Sequence, residues 1–392
     1  MKRSTHYSYG CPSINAEDIA RVGEALSTDM ISQGGILREF EETFASHSGA
    51  EHCLAVANGT CGLHLALLAM GVMPGDRVWT SPLTFAATGN AALMCGASVD
   101  FVDIDPRTWN MDADALADKL HGAEREGLLP KVVVPVHFAG MPCDMSSLAQ
   151  LAERFQFDIL EDACHALGAR CHDERVGGCK RSRATVFSLH PVKNITSAEG
   201  GLVTTNDPQV HERMKLLRNH GMVRESLMDD ADVGPWHTEC RILGYNYRIS
   251  EPQCALGLSQ LGRLDVFLER RRTLVGRYLE HLPDGVQTQG RPNDENAAWH
   301  ILVLRTDFRS LGLDKRRFHA RMAERGIHLA VHYYPLHLHP LYMERGFCQG
   351  MFPNAEAYYR EAFTFPLHTK LDVEDVDHIC HQLKAELPLS QP

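Results

Sequence analysis

The sequence predicts an α/β architecture: a mostly parallel central sheet covered on both faces by helices, with a smaller α/β unit toward the C-terminus. Two observations lead there. Apolar, β-rich runs alternate with helical stretches through the first part of the chain, the pattern of strand–helix–strand crossovers. Polar residues, small residues and a lysine collect where those runs end, as the crevice of an open α/β sheet requires. No internal repeat and no low-complexity linker interrupts the pattern.

The elements follow in order. A short run at Leu54-Ala-Val-Ala leads into Asn58-Gly59-Thr60-Cys61 and then a helical stretch ending at Gly71. Free N–H groups at that helix start, with the Thr60 hydroxyl, suit a phosphate, stabilised by ~1 kcal/mol from the helix dipole. Taken alone, the same turn is an ordinary helix N-cap. Strands are expected at 77–80, 98–103, 131–136, 157–161, 184–188 and 201–205, and helices at 85–94, 112–120, 144–155 and 208–219. The stretch 221–235, with Asp229-Asp-Ala-Asp-Val-Gly, reads as a polar excursion. A long helical pattern beyond residue 250 runs through 282. Strands near 300–304 and 328–331 and helices near 315–324 and 373–384 complete a second unit. The expected division is 1–248 for the large unit with its N-terminal arm and 249–392 for the small one.

Lys193 stands just beyond an apolar strand, before the paired glycines Gly200 and Gly201. An amine at such an address bonds an aldehyde only after losing its proton, which burial and nearby positive charge encourage. Asp162 ends the run Phe157-Asp-Ile-Leu-Glu-Asp and precedes Ala-Cys-His165. A carboxylate there suits the protonated ring nitrogen of a pyridine-type cofactor, although a strand-end aspartate is more often a loop cap. The chain has neither Gly-x-x-x-x-Gly-Lys-Ser/Thr nor Gly-x-Gly-x-x-Gly after a strand, so nucleoside triphosphate and dinucleotide sites are not expected.

Composition narrows the classes. The 392 residues, 44% hydrophobic, suffice for a large core, and the formal net charge of −11 with interspersed signs argues against a nucleic-acid partner. The N-terminus is basic with no apolar stretch after it, and no run of eighteen apolar residues occurs, so neither a signal peptide nor a membrane span is expected. The twelve cysteines are scattered and read as reduced thiols in a cytoplasmic protein. Cys164, His165, Cys171, His172 and Cys179, and separately His332, His337 and His339, lack the close spacing of a metal site, and no metal is expected.

In combination, Ser81-Pro-Leu-Thr-Phe85-Ala-Ala-Thr88, Glu161-Asp162-Ala-Cys-His165-Ala-Leu-Gly168, the lysine segment and Gly244-Tyr-Asn246-Tyr-Arg-Ile-Ser250 resemble the DegT/DnrJ/EryC1/StrS sugar aminotransferases over nearly the whole length. That resemblance implies the fold type I scaffold and pyridoxal 5′-phosphate (PLP). It implies Lys193 as the lysine that bonds the cofactor and then moves the proton, Asp162 on the ring nitrogen, and His165 beside the ring. Phe85 would stack on one face, with Cys164 near the other. Gly59, Thr60, Cys61 and Ser188 would hold the phosphate from one subunit and Asn246 from its partner, which implies a homodimer with shared sites. Tyr9, Ser32, Gln33, Gly34, His332, Tyr333 and Tyr334 would meet a nucleotide-sugar substrate.

Within the family, His190-Pro-Val-Lys193-Asn-Ile-Thr, Arg218-Asn-His-Gly-Met222, Gly234-Pro-Trp236 and Ala255-Leu-Gly-Leu-Ser-Gln-Leu261 point to the branch serving pseudaminic acid biosynthesis. Its members move an amino group from L-glutamate to C4 of a UDP-linked 4-keto-6-deoxy-N-acetylhexosamine. The alternatives are a family member acting on another UDP-, dTDP- or GDP-linked keto sugar, a sugar dehydratase, which commonly replaces the lysine with histidine, or a non-catalytic member. Cys61 and Gly62 depart from the more usual alanine or serine, and Ala86-Ala-Thr-Gly89 is a smaller variant of its segment, which bears on substrate choice more than on cofactor.

Overall fold

The computed structural model describes residues 6–224, 234, 236–290 and 296–387. A seven-stranded sheet forms its centre, in the spatial order His52–Val56, Gly201–Thr205, Ala184–Ser188, Asp158–Asp162, Val132–Val134, Arg77–Thr80, Ser98–Phe101. Every pairing from Ala184–Ser188 outward to Ser98–Phe101 is parallel, whereas Gly201–Thr205 is antiparallel to both neighbours. The strands are apolar on both faces, as helical cover requires: Val132, Val133 and Val134 are all essentially inaccessible. Each such side chain contributes roughly 1.5–3 kcal/mol on burial.

The helices between strands carry their own start signals. Asn58, Asp112, Asp144 and Asp207 each cap a helix by accepting from an amide of its first turn. Predicted and observed strands differ by a few residues at their ends: 98–103 shortens to Ser98–Phe101 and 131–136 to Val132–Val134, although single cross-strand bonds continue past those bounds, from the Val102 amide to Thr80 O and from the Asp162 amide to Pro135 O, each at 2.9 Å.

The first helix, Ala16–Leu26, is fastened to Glu251–Leu261 by one buried carboxylate. Asp18 accepts from Ser259 Oγ at 2.7 Å, Gln260 Nε2 at 2.8 Å and the Arg263 guanidinium. The long helical pattern after residue 250 is two helices, Glu251–Leu261 and Leu264–His281, separated at Gly262 and Arg263. Apolar periodicity continues across that break, so the pattern reads as one helix in sequence.

Beyond it, a three-stranded antiparallel sheet, Gln287–Thr288, Leu302–Arg305 and Ala362–Phe365, packs with Lys315–Glu324 and Val373–Glu386. The strand expected at 328–331 forms only a bridge, Ala330 to Thr364; Ala362–Phe365 fills the ladder position instead. The N-terminal arm crosses over. Tyr7 bridges Ile327, donates its hydroxyl to Asp375 at 3.0 Å and belongs to the core of this second unit. Of the expected excursion 221–235, residues 225–233 and 235 lie outside the described residues.

Candidate active site

Sheet register brings the site together. Gly201 pairs with Val56 on one side and Ser188 on the other, so the Asn58 turn and the end of Ala184–Ser188 stand side by side. Asp162, opposite Val186, ends the next strand. A cavity of about 580 Å³ opens over these strand ends, and the aromatic loop near 332 walls it from the C-terminal unit.

Lys193 projects into this cavity, its Nζ 3.5 Å from His300 Nε2. Burial pulls its pKa below that of an ordinary lysine, while Cys164 and Asp162 act in the opposite sense. Among the described residues lining the cavity, Lys193 is the one lysine or arginine. Asp162 is 4% exposed and accepts from Thr88 Oγ1 at 2.7 Å and from the Cys164 amide at 3.1 Å, one donor on each oxygen. Burial pushes the Cys164 thiol well above its usual range, with Asp162 adding to the effect, so it is not a thiolate beside that carboxylate.

His165 lies flush with the wall. The Ala139 amide donates to its Nδ1 at 3.3 Å, which leaves Nε2 to donate to the Tyr333 hydroxyl at 2.9 Å. Burial, then the Lys193 charge, hold this ring well below the usual histidine pKa, and the same causes bring His332 down to about 4. The lysine therefore faces neutral imidazoles.

The helix Gly59–Ala69 points its N-terminus at the cavity. Asn58 Oδ1 takes the Cys61 amide at 2.9 Å, and the Cys61 side chain packs against the core instead of lining the cavity, while the amides of Gly59 and Thr60 have no acceptor among the described residues. A side chain on Gly59 would meet Cys164 Sγ and Ser188 Cβ, each at 3.2 Å; the turn reaches the wall because it has none. Phe85 caps Ala86–Met94 and lies 60% exposed over the opening, its ring 6.0 Å from that of Tyr333.

The structure thus gathers Gly59, Thr60, Phe85, Asp162, His165, Ser188, Lys193, Tyr9, His332 and Tyr333 around one cavity. Other expected residues lie elsewhere in the chain. Asn246 is exposed and bridges Asn219. Ser32 bridges Ser250, the Gly34 amide donates to Glu251 at 2.7 Å, and Gln33 and Gly34 border a separate hollow. Tyr334 packs against His339 and Tyr359. Sequence reasoning misses Thr88 and His300. Thr88 follows Phe85 by one helical turn, a visible signal; His300 has only its place at the start of an expected strand.

These residues suit a phosphorylated pyridine aldehyde: uncommitted amides at a helix start for the phosphate, a buried carboxylate for the ring nitrogen, and an amine of depressed pKa for the aldehyde. Fold and site together define a pyridoxal-phosphate-dependent aminotransferase, and the cofactor is PLP. More narrowly, the chain belongs to the DegT/DnrJ/EryC1/StrS aminotransferase family, whose sequence profile matches residues 12–384. The spore coat polysaccharide biosynthesis protein SpsC of Bacillus subtilis is 36% identical over 98% of both chains. Among solved structures, Helicobacter pylori PseC, described as an aminotransferase of pseudaminic acid biosynthesis, is similar with a TM-score of 0.87 and 29% identity, covering 97% of this chain and 99% of that one. The putative sugar aminotransferase Spr1654 of Streptococcus pneumoniae in its PLP form gives 0.87 and 27%, over 97% and 98%. No described helix is long and apolar enough to cross a membrane.

Proposed function

We propose that this sugar aminotransferase moves an amino group from L-glutamate to C4 of a UDP-linked 4-keto-6-deoxy-N-acetylhexosamine, in a homodimer that shares its active sites. The observation carrying the sugar assignment is the likeness to PseC along almost the full length of both chains. When bound, PLP supplies an electron sink for the carbon that loses a proton.

The chain's own groups do the rest. Lys193 Nζ would bond the aldehyde and, once displaced by the incoming amine, would carry the proton between the substrate carbon and the cofactor. Asp162, held by Thr88 and the Cys164 amide, keeps a proton on the ring nitrogen. Gly59, Thr60 and Ser188 hold the phosphate, joined by Asn246 of the partner subunit. Phe85 covers one ring face, and His165 orients Tyr333 at the sugar side. Tyr9 and His332 border the same side, their rings 5.0 Å apart. Residues 32–34 reach a sugar only across the subunit boundary. The division at 248/249 belongs to the same reading, with the N-terminal arm packed on the second unit.

The test supplies L-glutamate with UDP-, dTDP- and GDP-linked 4-keto-6-deoxy sugars in competition and follows amino-sugar formation by mass spectrometry. Preferred amination of the UDP-linked N-acetyl sugar is expected. Preference for a sugar lacking the N-acetyl group would overturn the assignment.

A further inference from the structure

His300 has no part in the chemistry above, yet from the C-terminal side it comes within hydrogen-bond reach of the Lys193 amine. Its ring is 3% exposed, Nε2 faces Nζ at 3.5 Å, and Nδ1 is buried without a partner among the described residues. The ring also lies 4.6 Å from that of His165.

Its placement is built from several directions. The His300 amide donates to Ala139 O at 3.1 Å, and the Ala298 amide to Gly140 O at 3.0 Å. Asn194, adjacent to the lysine, donates to Ala298 O at 3.1 Å, and buried Arg271 donates to His300 O at 3.0 Å. A side chain on Gly140 would stand 2.1 Å from Ala298 O, so that glycine permits the close approach. These bonds fix His300 relative to the lysine segment through the main chain, whatever the imidazole itself does.

A neutral imidazole carries one N–H. If His300 accepted from a lysine ammonium through Nε2, that N–H would sit on Nδ1, buried with nothing to receive it. Orphaned buried N–H groups are rarer than orphaned acceptors. The favoured arrangement places the proton on Nε2, aimed at the lysine nitrogen, which can receive it only as a neutral amine. We infer that His300 is a positioning residue that holds Lys193 in its neutral form through an Nε2–H to Nζ hydrogen bond, with the unpartnered Nδ1 fixing the tautomer. A lysine released from the cofactor must be neutral to take a proton from carbon, so this contact prepares it for the step.

Other groups face the same amine: Asp162 and Cys164 from the strand end, His165 behind them, and His332 from the aromatic loop, with Arg271 behind His300. The direction of change on removing His300 therefore decides the matter. In full-length apoprotein, competitive acetylation of Lys193 by acetic anhydride across pH, read by peptide mass spectrometry, gives the amine's midpoint. His300→Phe keeps a ring and the desolvation but removes the N–H. The midpoint should rise by about one unit, a tenfold loss of neutral lysine at a fixed pH. An unchanged or lower midpoint overturns the inference.

A second measurement uses the wild-type chain and does not depend on the variant's stability: ¹⁵N-histidine NMR of the ring tautomer, the His300 ring signal being assigned by through-bond correlation to its own backbone resonances. The proton on Nε2 is expected, and a proton on Nδ1 overturns the proposal. The inference rests on Lys193 being the cofactor-bonding amine. Because both readouts are taken without cofactor, a failure of that assignment shows separately, as a lysine that follows His300 yet never bonds PLP.

Discussion

Replacing Gly201 with alanine places a methyl carbon 2.6 Å from both the carbonyl carbon and oxygen of Asn58 and 2.9 Å from the Gly59 nitrogen. All three are main-chain atoms, so no side chain can swing aside; the Asn58–Gly59 turn or the strand Gly201–Thr205 has to move. The strand is hydrogen-bonded on both edges, to His52–Val56 and to Ala184–Ser188, whereas the turn borders the cavity. The turn should give. Overpacking of this kind costs roughly 1–3 kcal/mol. In apoprotein a displaced turn relieves part of that strain, and holding the cofactor phosphate at Gly59 and Thr60 restores it. The strain is therefore a ceiling on the affinity loss, and at 1.4 kcal/mol per factor of ten, PLP binding should weaken measurably, by no more than about 5-fold at the low end of that strain and about 150-fold at the high end. Gly59→Ala meets side-chain atoms at 3.2 Å instead and should lose less. Titration of stripped protein with PLP, followed by absorbance, measures both. Gly201→Ala with wild-type affinity and an unchanged melting temperature would refute the packing argument, and so would a larger loss in Gly59→Ala.

Other outcomes follow from the same structure. Thr88→Val leaves one oxygen of buried Asp162 without its donor, so about 1–3 kcal/mol of support is lost and turnover should fall roughly 5-fold to 150-fold with the amount of bound PLP nearly unchanged; steady-state kinetics and cofactor content check this. Asp18→Asn should destabilise the fold by about 1–3 kcal/mol in urea unfolding, through weakened bonds to Ser259, Gln260 and Arg263. The sign with pH is fixed: burial raises the Asp18 pKa, but the Asn15 amide and these partners outweigh it and hold the carboxyl below its ordinary value. Its contribution is thus present above about pH 4 and lost as pH falls through the folded-state pKa, so the variant should show a flatter acid limb. Mixing Lys193→Ala with Asn246→Asp chains tests site sharing: if both variants are inactive alone, random dimers of a two-fold assembly should recover about one quarter of wild-type sites, and no recovery after subunit exchange would contradict sharing.

Much of this is legible in the sequence because local signals and tertiary roles agree. Ala184–Ser188, Gly201–Thr205 and Lys315–Glu324 appear with the expected bounds, since apolar runs and a capping aspartate mark them. Asp162 and Lys193 are visible as polar residues at or just beyond strand ends, and the fold brings them to one cavity. Where the sequence falls short, the deciding contact is distant. Nothing local shows that Ala362–Phe365 pairs with Leu302–Arg305 while 328–331 stays a bridge, or that Tyr7 packs in the second unit. His300 reads as the start of a strand until the Phe138–Gly140 turn sets it beside Lys193, about a hundred residues away in sequence. Residues 32–34 and Asn246 fall outside the cavity of their own chain, a placement that no single-chain pattern announces.

The central claim is that Lys193 bonds PLP and exchanges the amino group of L-glutamate. The most direct measurement is the absorbance spectrum of protein reconstituted with PLP, before and after glutamate without any sugar, alongside Lys193→Ala. A visible band that is lost on adding glutamate, as the near-ultraviolet band of the aminated cofactor grows, is expected, with no such band in the variant. A band in Lys193→Ala that still responds to glutamate would contradict it.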